Sequence, residues 1–215
     1  MISWLFLLVA TIIVFVYYNR ILGFSLLLFT IYKILNDSGV LVKITFEFLL
    51  IQKSRFYYSR YQGNYRNIHP KFKALNKICN KFKNTKSGYS LCGIYYDNPD
   101  KIEDINKSTA VVGFLFPEAY SNDTDLEAYL KENRGEFSYS ELPSAKCIYT
   151  QFPFNSIVSM IVAIYRYYKE LKKQKESKFF KECEVDDNNC IIEVYNNYIQ
   201  FLIPLSNKNG FSLYK

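Results

Sequence analysis

The chain has one histidine, His69, among 215 residues. That imidazole stands beside Pro70 at a helix start, and no Ser/His/Asp or Cys/His spacing surrounds it, so no catalytic residue is named and no enzyme is expected. Cysteines number only five, with no C-x-x-C pair, which reads as reduced thiols and not as a disulfide framework or zinc site. No metal or cofactor is expected. Eight glycines and six prolines are too few for collagen-like or low-complexity architecture. Acids are scarce at the front, where residues 1–90 hold 13 Lys/Arg against 2 Asp/Glu, while residues 91–215 hold 14 against 18.

Aromatic residues are plentiful. Twenty Tyr and 18 Phe, within a chain that is 49% hydrophobic, supply bulk for one core of ordinary domain size. Ahead of that domain, Met1 to Tyr18 carries no charged side chain. As a helix the apolar run 2–18 covers roughly 26 Å, so a single transmembrane span suited to a thin bilayer such as the endoplasmic reticulum is expected there. Residues 1–35 form the expected membrane anchor. Their second apolar stretch, 21–35, can lie in the interface, return as the leg of a shallow hairpin, or extend the first span with tilt. Arg20, Lys33, Lys43, Lys53, Arg55 and Arg60 all follow the span, which places the domain on the cytosolic side with a basic flank near lipid head groups. Direct nucleic-acid contact is not expected, because the lysines of 169–182 alternate with acids and no recognition motif appears.

Residues 39–215 read as an α+β domain. A β-branched run at 40–51 suits a strand, and a polar, tyrosine-rich connection follows. Phe72, Leu75, Ile78, Cys79 and Phe82 then fall at helical spacing within 71–83. Strands are expected at 89–96 and 109–116, a connector helix at 123–131, a strand at 145–152, a helix over 153–175, and strands at 190–195 and 198–205. The lysine-rich run 169–182 reads as the solvated end of that long helix. Strand, helix, strand, strand therefore occurs twice. Two tandem βαββ units imply a pseudo-twofold with a cleft where their sheets meet.

GIYYDNP (93–99), TQFPFNSIVSM (150–160) and IIEVYNNYIQFLIPL (191–205) resemble the gyrase-inhibitor-like, small-molecule-binding domain, and with the apolar leader the chain resembles the testis-expressed protein 264 family. That resemblance implies a receptor or adaptor of the endoplasmic reticulum membrane, acting in selective autophagy of the reticulum. It also implies ubiquitin-like autophagy proteins as partners, and a segregase ATPase through a role in repair of DNA–protein crosslinks. The internal match to an aromatic-x-x-aliphatic motif is Tyr139-Ser140-Glu141-Leu142, in which Tyr139 and Leu142 are the anchors a partner's sheet edge would take. Its plainer reading is an ordinary loop and strand end before Pro143.

The alternative function is a membrane-anchored sensor that binds a small molecule in the cleft. Relatives of the gyrase-inhibitor-like fold place an acid on the strand corresponding to IIEVY, which points to Glu193. With Tyr95 and Tyr165 supplying ring faces, Glu193 would hold a lipophilic cation. Strand alternation can equally turn Glu193 onto a solvated face.

Overall fold

The computed structural model describes residues 2–17, 20–82, 88–97, 102–118, 125–185 and 189–214. Helices α1 (Ile2–Tyr17) and α2 (Arg20–Asp37) come first and pack against one another as a hairpin. At 16 residues, α1 reaches only about 24 Å, short of the roughly 30 Å hydrocarbon core of a typical bilayer. Among the described residues no helix is long and apolar enough to cross a membrane. The single span expected over 2–18 is thus replaced by a folded-back pair, the hairpin arrangement among the three open for 21–35. The hairpin buries Thr11, Gly23 and Thr30. Each threonine hydroxyl donates to the carbonyl four residues back, Thr11 to Leu7 at 2.7 Å and Thr30 to Leu26 at 2.8 Å.

One antiparallel sheet organises the rest. Its strands are β1 (Glu47–Ile51), β2 (Ser54–Gln62), β3 (Ser90–Tyr95), β4 (Thr109–Pro117), β5 (Ser138–Leu142), β6 (Ala145–Pro153), β7 (Ile191–Tyr195) and β8 (Tyr198–Pro204). The spatial order is β1-β6-β8-β7-β3-β4-β2-β5. Helices α3 (His69–Lys81), α4 (Asp125–Glu132), α5 (Ile157–Gln174) and α6 (Lys178–Glu182) complete the set. Counted outward from the central β3–β7 pair, one side runs β3, β4, β2 and the other β7, β8, β6, so β2-α3-β3-β4 and β6-α5-β7-β8 occupy equivalent places.

The leading strand of the first unit is β2, in the stretch expected to be a polar connection, and not the 40–51 run. Tyrosine accounts for the difference. A tyrosine-rich strand buries its rings on both faces while hydroxyls reach partners, so the hydrophobic-in, polar-out alternation that marks a half-buried strand is missing. Phe56 and Tyr58 lie on one face and Tyr57 on the other, all buried.

Two short links close the sheet. Only Gln52 and Lys53 separate β1 from β2, although these strands stand near opposite ends of the order, and Pro143-Ser144 separates β5 from β6 in the same way. Ile51 faces Ala145 and Ser54 faces Leu142, so the β1–β6 and β2–β5 ladders share one register and form a single interrupted ribbon. A linear order with its ends joined so closely must curl. Phe56, Cys92, Ile94, Val111, Cys147, Ile192, Leu202 and Phe211 form one cluster on the face away from the long helices.

The other face carries the helices. Leu75 and Ile78 of α3 pack with Tyr57, Val112 and Phe114. Ser156 caps α5 in a reciprocal box with Ser159. Ala163, Tyr167 and Leu171 then cover the second unit, with Tyr167 stacked on Phe201 at 4.0 Å between ring centroids. The long helix stops at Gln174, which corrects the solvated extension expected to 182. Ser177 caps the separate α6, whose Phe180 is fully buried against Phe46 at 5.1 Å.

Candidate functional site

Alternation along the two central strands sets the site. Cys92 and Ile94 of β3, with Ile192 and Val194 of β7, belong to the cluster away from the helices. Gly93, Tyr95, Glu193 and Tyr195 therefore share the helix-covered face. Glu193 stands directly opposite Gly93 at the pseudo-twofold seam and is only 3% exposed. A Cβ on Gly93 would lie 2.9 Å from Cε2 of Tyr95, so the missing side chain is what lets that ring lie where it does.

Three hydroxyls converge on the carboxylate. Tyr195 donates to Oε2 and Tyr168 donates to Oε1 at 3.5 Å, while the Tyr95 hydroxyl lies close enough to favour the charged form of the same group. Around them Tyr65 meets Tyr95 edge-on at 5.1 Å, while Phe72 and Phe154 meet Tyr195 at 5.2 and 6.0 Å. Phe72 comes from α3 and Tyr168 from α5, so both units reach the seam.

Burial dominates the electrostatics. It pushes the Glu193 carboxyl up to about 7, and the Tyr195, Tyr95 and Tyr168 hydroxyls, which favour the ionised form, hold it lower than burial alone would. Burial first, and the same carboxylate second, hold the hydroxyls of Tyr95, Tyr168 and Tyr195 in their neutral, donating form. No cationic side chain among the described residues pairs with Glu193. The solvated face left open for it by alternation is ruled out by its burial.

Of the expected cleft residues, Glu193 and Tyr95 meet and Tyr165 does not. Tyr165 is 65% exposed, on the outer face of α5, with Lys169 Nζ 5.7 Å from its ring centre. Its expected place is taken by Tyr168 and Tyr195. Both were within reach of periodicity: Tyr168 follows Ala163, Ile164 and Tyr167 on the apolar stripe of α5, and Tyr195 lies two residues after Glu193 on the same strand face.

The aromatic-x-x-aliphatic pair is split by the fold. Tyr139 is half-exposed on β5, whereas Leu142 is buried in the interior cluster and is not an available anchor. Asp97, at the start of the expected Asp97-Asn98-Pro99 turn, accepts from the Thr109 backbone N–H at 2.5 Å and from its hydroxyl at 2.6 Å. The remainder of that turn lies outside the described residues.

A second buried carboxylate, Glu127 of α4, borders a cavity of about 600 Å³ lined also by Arg55, Tyr57, Lys131, Arg134 and Tyr139. Its charge is already met within the protein, by the Arg55 guanidinium at 2.9 and 3.2 Å and the Tyr57 hydroxyl at 3.0 Å. The five cysteines are free thiols, and among the described residues no His/Cys/Asp/Glu group could hold a metal ion.

No protein-family model and no curated protein matches the chain. Solved structures with a similar course include the C-terminal domain of EcmrR, at 13% identity, TM-score 0.46, covering 75% of this chain and 96% of that one. SAV2435 bound to tetraphenylphosphonium is similar at 8% identity, TM-score 0.45, over 74% and 93% of the two chains. A hydrolase encoded by lin2189 from Listeria innocua is similar at 11% identity, TM-score 0.42, over 80% and 97%.

Proposed function

We propose that the domain is a gyrase-inhibitor-like ligand-binding module that takes a lipophilic cation at the seam between its two βαββ units, with Glu193 as counter-ion. The observation that carries this reading is a buried carboxylate bonded only by neutral hydroxyls. An ionised carboxylate out of water is costly unless paired, and here the protein supplies donors but no charge. A soft cation would supply it. Aromatic rings suit the same guest, because their faces attract cations, by about 0.5–2 kcal/mol each. Phe72, Phe154, Tyr168 and Tyr195 are each half-buried, so the rings gathered around the Tyr195 side of the seam are the ones a guest would displace.

Glu127 makes the contrasting case, since its bidentate arginine leaves it no charge to offer. The role is binding, not catalysis. The receptor or adaptor role in autophagy of the reticulum is the rival reading, and it has in its favour the outer position of β5 with Tyr139 half-exposed on it.

The test is a titration of the full chain in detergent with phosphonium and quaternary ammonium cations. Glu193→Gln keeps the shape, removes the charge and serves as the blank for partitioning into micelles. Saturable binding by the wild type, weakened by ~1–3 kcal/mol in the variant, supports the reading. No saturable binding by the wild type ends it and leaves the adaptor role.

A further inference from the structure

The outer face of α5 is apolar where a solvated helix would be polar. Ile157, Val158, Ile161 and Tyr165 follow one another at helical spacing and are 56%, 50%, 60% and 65% exposed. This stripe does not stand alone. Asn155, just before α5, donates to the Asp37 carbonyl at the end of α2 at 3.1 Å, and the Arg166 guanidinium donates to the Gly39 carbonyl. Val40 and Leu41 are exposed in the same neighbourhood, so an apolar surface runs from the base of the hairpin onto α5.

The hairpin itself is apolar on its outside. Phe6, Val9, Ile12 and Ile13 of α1 and Leu22, Phe24, Leu28, Phe29 and Ile31 of α2 are exposed, and it is the small or polar Thr11, Gly23 and Thr30 that are buried. That inverts the order of a water-soluble helix pair and follows that of helices in lipid, where small residues pack inward and hydroxyls bond their own backbone. Arg20, at the turn, has a stem long enough to carry its charge to a head-group layer.

Basic residues border the surface. Lys43, Lys169, Lys172 and Lys173 are all exposed beside the hairpin base or along α5. Among them Lys169 lies over the Tyr165 ring, the arrangement of an aromatic and a lysine at a membrane interface.

We infer that α5 is a second membrane-contact element. The hairpin enters the lipid, and the domain lies against the same leaflet through Ile157, Val158, Ile161 and Tyr165, with the lysines on anionic head groups. The occupant is a bilayer and not a protein, because the exposed stripe lies beside the base of a hairpin whose large exposed side chains, among the described residues, are mainly apolar.

The experiment places a single tryptophan on the stripe of the full chain, reconstituted with vesicles of phosphatidylcholine and a minority of phosphatidylserine. Trp4→Phe removes the native indole, the chain's one tryptophan. Ile161→Trp then reports α5, and Tyr139→Trp, on the outer strand β5, reports a surface away from the hairpin. With brominated lipid, the α5 reporter is expected to shift to the blue and lose emission while the β5 reporter does neither. Equal behaviour of the two reporters in a chain that floats with the vesicles overturns the inference, and so does a chain that does not float.

Discussion

Glu193 faces Gly93 across the central strand pair, so the most deeply buried carboxylate of the second unit stands over a position of the first unit that has no side chain. The seam exists because the two units differ there. One supplies a charge and the other supplies room for Tyr95 to reach it.

Adding a methyl group at that point should undo the arrangement. Gly93→Ala places a carbon against the Tyr95 ring, which must swing away from Glu193. A loss of about 1–3 kcal/mol in unfolding free energy is expected from the overpacking, measured by denaturant titration. An unchanged midpoint would show that Tyr95 is not held by Gly93.

Stability should depend on pH in the direction opposite to that of a salt-bridged acid. The folded carboxyl titrates at about 7 against an ordinary 4.5, so between those values the folded state holds a proton that the unfolded chain has released. Stability from this group is complete below 4.5 and falls as pH rises through 7, by at most ~3 kcal/mol. Glu193→Gln should flatten the slope of the unfolding free energy over that window, and make the protein at least as stable as wild type above it.

The hydroxyls should be separable from the exposed tyrosine by the carboxyl signal of Glu193. Tyr195→Phe and Tyr168→Phe each remove a donor to the ionised form and should raise its titration midpoint further, read by carbon NMR or by the infrared carboxyl band. Tyr165→Phe should leave it in place. Movement in the Tyr165 variant would put that residue back in the site.

The two motif residues on β5 should part in their effects on folding. Leu142→Ala opens a hole in the interior cluster and should cost about 2–5 kcal/mol. Tyr139→Ala removes a half-exposed ring in contact with Tyr57 at 5.0 Å and should cost about 1 kcal/mol or less. Denaturant midpoints check both. Any interaction lost on changing Leu142 is then a folding effect unless Tyr139→Ala loses it too.

Most of the domain was readable from periodicity. The helices near 69–81 and 157–174 and the strands β3, β4, β6, β7 and β8 announce themselves, because each has one apolar face or one unbroken apolar run. β2 was not readable as a strand, since tyrosine rings bury both of its faces and erase the alternation. β5 escaped because only Leu142 of its five residues is buried. The closure of the sheet lies in a register shared by two ladders far apart in sequence, which no local pattern carries. At the site, the strand residues Glu193 and Tyr95 were legible; on α5 the apolar stripe through Ala163, Ile164 and Tyr167 leads to Tyr168, whereas Tyr165 lies off that stripe on the outer face, which its aromatic character alone does not reveal.

The affinity of a permanently charged lipophilic cation, measured across pH on the full chain, tests the central claim most directly. If the guest needs ionised Glu193, affinity should rise about tenfold per pH unit up to about 7 and level off above it, while Glu193→Gln shows no such rise. An affinity flat across that range in the wild type, or the same rise in the variant, would contradict Glu193 as the counter-ion.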